Sequence, residues 1–161
     1  MTRPWFVATV LAASAALLPL AVGAQAPSDE APPPYRPSLA DLMSTTVQPR
    51  HIKLAFAGRE KNWAFAAYEV KQLGDAFDRL SVQWPQWRRQ PIVELVETMI
   101  RDPLFELDNA VKNQNMAQYI VAYAHLTEAC NACHQAALQV PVVIVDPKDS
   151  SFPDQDFRPK Q

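Results

Sequence analysis

The amino-acid sequence predicts an all-α protein, an antiparallel four-helix bundle, on two observations. Four segments repeat apolar residues at steps of three and four, the spacing of one helix face, and short connections separate them. The 161 residues include only 3 Gly against 15 Pro. Because hairpin-rich folds and phosphate-binding loops both depend on glycine, which has no Cβ to clash at positive φ, we expect neither a hairpin-rich fold nor a phosphate-binding loop.

The N-terminal part of the chain has the features of an export signal followed by a tether. Residues 1–24 contain a basic start, an apolar run and small residues up to Ala24, and they predict a signal peptide cleaved at that point. A retained membrane anchor is the alternative, although Pro19 interrupts the apolar run. Residues 25–37 are rich in proline and predict an extended linker. We therefore expect a periplasmic protein whose mature form has no membrane span.

Residues 38–140 are expected to form the bundle. Ser38 is a suitable N-cap for the first helix, Pro49 should kink or split that helix, and Gly58 should end it. Asn62 can cap the second helix, which carries the clearest apolar stripe in the chain. The first half of the bundle is thus predicted to be a helical pair with a short connection.

The connection to the third helix is predicted to be a loop at residues 81–90. Trp84 and Trp87 lie in it and are expected to cover the end of the bundle, a docking patch for a partner being the alternative. Pro91 suits the first turn of a third helix, because the N–H that proline lacks would be unpaired there. The apolar stripe continues past residues 102–103, Asp-Pro, so this helix is expected to be kinked or built of two pieces.

The fourth helix and a tail complete the chain. The helix is expected to begin near Asn115 and to end before Pro141. Residues 141–161 contain a short β-branched run and then a polar stretch with several prolines. This composition predicts an extended C-terminal tail, since four β-branched residues do not establish a sheet.

The two cysteines of the chain lie in the fourth helix, in the run Cys130-Asn131-Ala132-Cys133-His134. Residues three and four apart stack on one face of a helix, so both sulfurs and the imidazole point the same way. Covalent haem attachment requires this arrangement, because the thiols add to two vinyl groups while the adjacent imidazole reaches the iron. The run predicts one haem c, with Cys130 and Cys133 as covalent links and His134 as axial ligand.

Other uses of two cysteines fit this sequence less well. A thioredoxin-type pair prefers a βαβ setting and a helix N-terminus, whereas this pair lies near a helix end. An iron–sulfur cluster usually takes four cysteines, and a zinc ion would need a further ligand beyond the two cysteines and His134. A disulfide between residues three apart on a helix would constrain almost nothing.

The opposite side of the iron must be covered by a residue from a facing helix. His51 is the strongest ligand by its chemistry, since a neutral imidazole binds iron well. Met43 lies at the centre of the apolar stripe of the first helix and is the alternative, while Lys53 would first have to lose a proton. If Leu54 caps the iron instead, the haem is five-coordinate and open to a small gas.

A helical bundle with Cys-x-x-Cys-His near the end of its last helix, here residues 130–134, resembles the class II cytochromes c, the cytochrome c′ type. The likeness covers roughly Ser38–Val140. It implies that Arg50 contacts a haem propionate, because the family often carries Arg-Gln on the first helix; His51 stands in the place of the Gln. Ala137-Leu138 occupy the positions where the family tends to have Phe-Arg. The likeness also implies a homodimer, since related bundles often pair through their first two helices.

These observations predict an exported cytochrome that carries electrons to and from redox partner proteins. Binding of nitric oxide or carbon monoxide at a five-coordinate haem is one alternative, and a haem-bearing subunit of a respiratory enzyme is another. With 15 basic and 17 acidic residues the chain has a net charge of −2, which argues against a nucleic-acid partner. No nucleophile or metal-ligand spacing typical of an enzyme is present, so we expect no enzymatic activity.

Overall fold

Four helices of similar length contain 67% of the residues that the structure describes, which confirms the predicted all-α class. This structure is a computed structural model, and it describes residues 34–139 and 141–160. The predicted signal peptide and residues 25–33 of the predicted linker lie outside the described residues. None of the described helices is both long enough and apolar enough to cross a membrane.

The first and third helices are built alike, from an α-helical turn, a π-helical turn and a longer α-helical part. In α1, residues 39–59, these parts are Leu39–Leu42, Met43–Val47 and Gln48–Arg59. In α3, residues 92–112, they are Ile92–Leu95, Val96–Ile100 and Arg101–Lys112. The second and fourth helices are uninterrupted, with α2 at Trp63–Gln83 and α4 at Met116–Ala136.

Three of the helix starts that the sequence predicts are confirmed. Ser38 and Asp41 form a capping box, in which each side chain accepts from the backbone N–H of the other. Asn62 and Asn115 cap α2 and α4, their side-chain oxygens accepting backbone N–H groups at 3.2 and 3.1 Å. Gly58 lies one residue before the end of α1 rather than at it.

The prolines in α1 and α3 do not split these helices. In α1 the N–H of Gln48 donates to the carbonyl of Met43, five residues back, so the hydrogen-bond ladder changes register just before Pro49. Pro49 then lies in the first turn of the α-helical part that follows, where an N–H needs no partner within the helix. Pro103 follows the π turn of α3 in the same way. The expected interruptions are therefore π turns inside continuous helices.

The predicted loop at residues 81–90 is partly structured. Helix α2 continues to Gln83, and two short antiparallel strands follow, β1 at Gln86–Trp87 and β2 at Gln90–Pro91. Arg88 and Arg89 turn the chain with positive φ values of 47° and 72°. The sequence did not predict this hairpin because glycine, the usual residue for such a turn, is absent from it.

Each helix contributes large apolar side chains to one core. Leu54, Leu73, Leu107 and Leu126, one from each helix in chain order, are at most 1% exposed. Helix α1 contacts α2 and α4, and α3 contacts α2 and α4. The Tyr119 hydroxyl donates to the carbonyl of Leu54, which fixes α4 against α1.

Residues 141–160 contain no helix or strand and pack on the helices. The Phe157 ring is buried, 5.2 Å from the Phe56 ring and 5.9 Å from the Phe65 ring. The Asn62 amide donates to the carbonyls of Phe157 and Arg158. The C-terminal segment is therefore attached to the junction of α1 and α2.

The close approach of α4 to Gly58 leads to a stability prediction. A Cβ at this position would lie 2.1 Å from Cε1 of Tyr119, whose ring cannot retreat without breaking its hydrogen bond to Leu54. We expect Gly58→Ala to lower the free energy of unfolding by about 1–3 kcal/mol, the usual effect of overpacking. Urea unfolding measures it.

The matched control is Gly74→Ala in the interior of α2. Its Cβ would lie 3.5 Å from the nearest atom, on Leu104, which is an ordinary contact. We expect this variant to be about 0.5–1 kcal/mol more stable than the wild type, because alanine is the better helix former. Equal effects of the two substitutions would contradict the close packing of α1 on α4.

Candidate functional site

A cavity of about 370 Å³ lies between α1, α3, the end of α4 and the segment that follows it. Both cysteines and His134 line it from α4, and Met43 and His51 line it from α1. The π turns of α1 and α3 both contribute side chains to it. Apolar side chains form much of its wall: Val47, Phe77, Trp87, Ile92, Val96 and Ile100. Its size is within the range of small-molecule and cofactor sites.

The two cysteines lie one helical turn apart and are free thiols. Cys130 is partly buried and Cys133 is buried. Burial raises the pKa of the Cys130 thiol to about 12, and it raises the pKa of Cys133 as well. Cysteines that exchange disulfides have lowered pKa values and react as thiolates. The environment of this pair is therefore opposite to that of a redox-active pair.

His134 presents one ring nitrogen for coordination. Its Nδ1 lies 2.9 Å from the carbonyl oxygen of Val142. Because a carbonyl only accepts, Nδ1 carries the hydrogen and Nε2 keeps its lone pair. Within the described part of the chain, Nε2 has no hydrogen-bond partner. Histidines that bind metals are usually oriented in this way, by a hydrogen bond from the other nitrogen.

His51 reaches the cavity wall, but both of its ring nitrogens are engaged. Nε2 is 2.8 Å from Oγ1 of Thr127, and Nδ1 is 3.1 Å from the hydroxyl of Tyr123. The Thr127 hydroxyl donates to the carbonyl of Tyr123, so it accepts from His51 Nε2–H. The Tyr123 ring also stacks on the imidazole, with centroids 4.8 Å apart. The sequence pointed to neither partner.

Burial keeps the His51 ring neutral. It lowers the pKa of His51 from 6.5 to about 4, while the charge of Asp146 acts in the opposite direction. The hydroxyl of Tyr123 is also shielded from water, which raises its pKa. Around neutral pH this contact between α1 and α4 is therefore made by uncharged groups.

Met43 and His134 lie at the same level of the molecule. Helices α1 and α4 run in opposite directions, and His51 faces Thr127. Met43 is eight residues before His51 and His134 is seven residues after Thr127, about two helical turns in each case. The Met43 side chain therefore faces the cavity from the helix opposite to the one that carries His134.

Two residues considered for the iron site lie elsewhere. Leu54 is fully buried in the core and is not part of the cavity wall, so the structure does not place it where it would cap a bound group. The ammonium of Lys53 lies over the Phe152 ring, 4.7 Å from its centroid.

The guanidinium of Arg50 is paired with a buried carboxylate. Its Nη1 lies 3.1 Å from Oε2 of Glu69, whose side chain is 1% exposed. Arg50 is not among the residues that line the cavity. The sequence did not single out Glu69, because a single acid within an apolar helix stripe gives no sign of a partner nineteen residues away.

The two loop tryptophans differ in their surroundings. Trp87 lines the cavity. The indole N–H of Trp84 donates to the carbonyl of Pro37 at 3.0 Å, and the Arg36 guanidinium lies 3.9 Å from its ring centroid. Both rings are only partly exposed.

The depressed pKa of His51 predicts a loss of stability in acid. Between about pH 6.5 and pH 4 the unfolded chain binds a proton that the folded chain does not, so the free energy of unfolding falls as the pH falls. In protein that lacks a prosthetic group, we expect His51 to lower the free energy of unfolding by about 3 kcal/mol over this pH range. Urea unfolding at the two ends of the range measures it.

Two substitutions isolate this contribution from that of the carboxylates. His51→Gln should remove it, since glutamine does not titrate. His125→Gln should leave it in place, because that imidazole is half exposed and paired with Glu106 on the surface. An identical pH dependence in the wild type and in His51→Gln would disprove the assignment.

No family model matches the chain, and neither does any curated protein or solved structure. Among residues 34–139 and 141–160, no group of three or more His, Cys, Asp and Glu side chains is placed to hold a metal ion. The side chains that line the cavity therefore carry the functional assignment.

Proposed function

We propose that the chain is an exported c-type cytochrome that holds one covalent haem and transfers electrons. Cys130 and Cys133 would form the thioether links, and His134 would be the axial ligand on the same side. One observation carries this proposal. Both thiols line an apolar cavity beside the imidazole of His134, whose Nδ1 donates to the Val142 carbonyl and whose Nε2 has no hydrogen-bond partner among the described residues.

The apolar lining of the cavity suits a haem. The macrocycle is flat and mostly apolar, and it needs an apolar cleft with ligands at fixed points. The contacts of the four helices support an antiparallel four-helix bundle, in which the site lies between α1 and the end of α4. When bound, the iron supplies a one-electron couple whose potential depends on its ligands and burial.

Of the two candidates for a second ligand, Met43 rather than His51 would bind the iron. A thioether binds iron without losing a proton, and Met43 faces the cavity at the level of His134. Coordination by His51 would break its hydrogen bond to Thr127 or to Tyr123, which are buried contacts between helices. The role of His51 is then to fix α1 against α4.

We do not extend the proposal to a propionate contact of Arg50. Arg50 is not among the residues that line the cavity, and its Nη1 binds the buried carboxylate of Glu69. The pair instead ties α1 to α2.

The surface beside His134 suits transient contact with a redox partner protein. Leu138, Val142 and Val143 are 70%, 48% and 67% exposed, and all three are close to His134 in the chain. Apolar groups at the surface are typical of interaction sites, and electron-transfer contacts are small and short-lived. A partner on this surface would approach a bound haem closely.

The absorption spectrum of the reduced protein, recorded with and without carbon monoxide, tests the proposed function. A low-spin spectrum that carbon monoxide does not change supports electron transfer at a six-coordinate iron. A high-spin spectrum that shifts with the gas would replace this proposal by gas binding. A chain without visible absorption would contradict both.

A further inference from the structure

The side chain of Asn131 binds the C-terminal segment at both of its amide atoms. Nδ2 donates to the carbonyl of Ile144 at 2.8 Å, and Oδ1 accepts the N–H of Ile144, also at 2.8 Å. A neighbouring β-strand would offer the same donor and acceptor. One helical residue therefore holds both polar backbone groups of one tail residue.

This contact is next to the hydrogen bond of His134. Asn131 and His134 are three residues apart on α4 and lie on one face of the helix. The carbonyl that His134 uses belongs to Val142, two residues before Ile144. Because Ile144 is only two residues further along the chain, fixing it restricts the positions that the Val142 carbonyl can take.

In this part of the tail only Ile144 is partly buried, at the wall of the cavity. Val142, Val143 and Val145 are 48%, 67% and 67% exposed. The next fixed point is Arg59 of α1, which binds the carboxylate of Asp146 at 2.7 Å and the carbonyl of Pro147 at 2.6 Å. Between His134 and Arg59 the described part of the tail is held by two contacts: the N–H of Val142 donates to the carbonyl of Gln139 at 2.9 Å, and the side chain of Asn131 binds both polar backbone groups of Ile144.

We propose that Asn131 is a positioning residue, which holds the Val142 carbonyl against Nδ1–H of His134 and thereby directs the lone pair of Nε2. The part of this inference that concerns iron rests on the proposed function; the part that concerns the imidazole does not. A hydrogen bond from Nδ1 makes the imidazole a stronger donor, which favours the oxidised state of a bound metal.

The first test follows the imidazole itself in the full mature chain. In Asn131→Ala we expect the amide of Ile144 to exchange with solvent about tenfold faster, the effect of losing one hydrogen bond of ordinary strength. NMR of the ring nitrogens should show His134 losing its fixed Nδ1–H tautomer. Asn131→Asp keeps the acceptor for the Ile144 N–H, so it should keep part of the protection.

The second test is the midpoint potential of the haem-loaded protein. Asn131→Ala should shift it upward, because a less basic imidazole stabilises the oxidised iron less. Asn113→Ala is the matched control: its amide is exposed and makes a 3.5 Å contact with Gln118, so exchange and potential should not change.

The results separate the two proposals. Unchanged exchange, tautomer and potential in Asn131→Ala would overturn the positioning role and leave the haem assignment intact. A chain that never carries haem would overturn the proposed function, and the tautomer of His134 in that chain would still decide the role of Asn131.

Discussion

Cys130→Ser is expected to weaken or abolish the covalent retention of haem, and the double variant Cys130→Ser, Cys133→Ser is expected to abolish it. The two thiols lie one turn apart on the cavity wall, so each would form one of the two links. Serine cannot form a thioether. Haem staining of a denaturing gel measures the effect, on protein exported by cells that attach haem.

Ala132→Ser is the matched control for these variants. It introduces the same hydroxyl between the two cysteines, at a position exposed to solvent. We expect its haem staining to equal that of the wild type. Full staining of the double cysteine variant on the denaturing gel would contradict the assignment of Cys130 and Cys133 as the covalent links.

Met43→Ala is expected to convert a low-spin haem into a high-spin haem that binds carbon monoxide. The substitution removes the thioether that faces the cavity at the level of His134. His51→Ala should keep the low-spin spectrum, because its nitrogens bind Thr127 and Tyr123. It should instead lower the free energy of unfolding by about 3 kcal/mol, since it removes two buried hydrogen bonds and the packing of the imidazole on Tyr123.

Met99→Ala controls for the loss of a partly buried methionine, because Met99 packs on the core without lining the cavity. Its absorption spectrum should match that of the wild type. A high-spin spectrum from His51→Ala, together with an unchanged spectrum from Met43→Ala, would make His51 the ligand. If neither variant changes the spin state, neither residue is bound to the iron.

Much of the fold could be predicted because its signals are local. The caps formed by Ser38, Asn62 and Asn115 each bond to a backbone N–H three residues further on. The residue types at these positions therefore reveal the helix starts without any knowledge of the rest of the chain. The same holds for the candidate site on α4, since a run of five residues places two thiols and an imidazole on one helix face.

The parts that the sequence did not reveal depend on contacts between distant residues. His51 meets Tyr123 and Thr127 more than seventy residues away, and Arg50 meets Glu69 on the next helix. Whether a polar residue on an apolar face is a ligand or a satisfied core group is decided by such partners. The choice between His51 and Met43 therefore needed the fold, although both residues were candidates from the sequence.

The tail shows the same limit. Its composition predicted an extended segment, but nothing in the sequence connects Ile144 to Asn131 or Val142 to His134. The tail makes these contacts with its backbone groups. Every residue type has such groups, so the residue types in the tail do not reveal the contacts. Helix register changes are hidden for a similar reason: a proline signals an interruption, but it does not distinguish a kink from a π turn.

The mass of the exported, processed protein under denaturing conditions tests the central claim most directly. A mass that exceeds that of the polypeptide by one haem, together with haem absorption that remains after denaturation, is the result we expect. The mass of the bare polypeptide, from cells able to attach haem, would contradict the assignment of Cys130, Cys133 and His134 and leave only the helical fold.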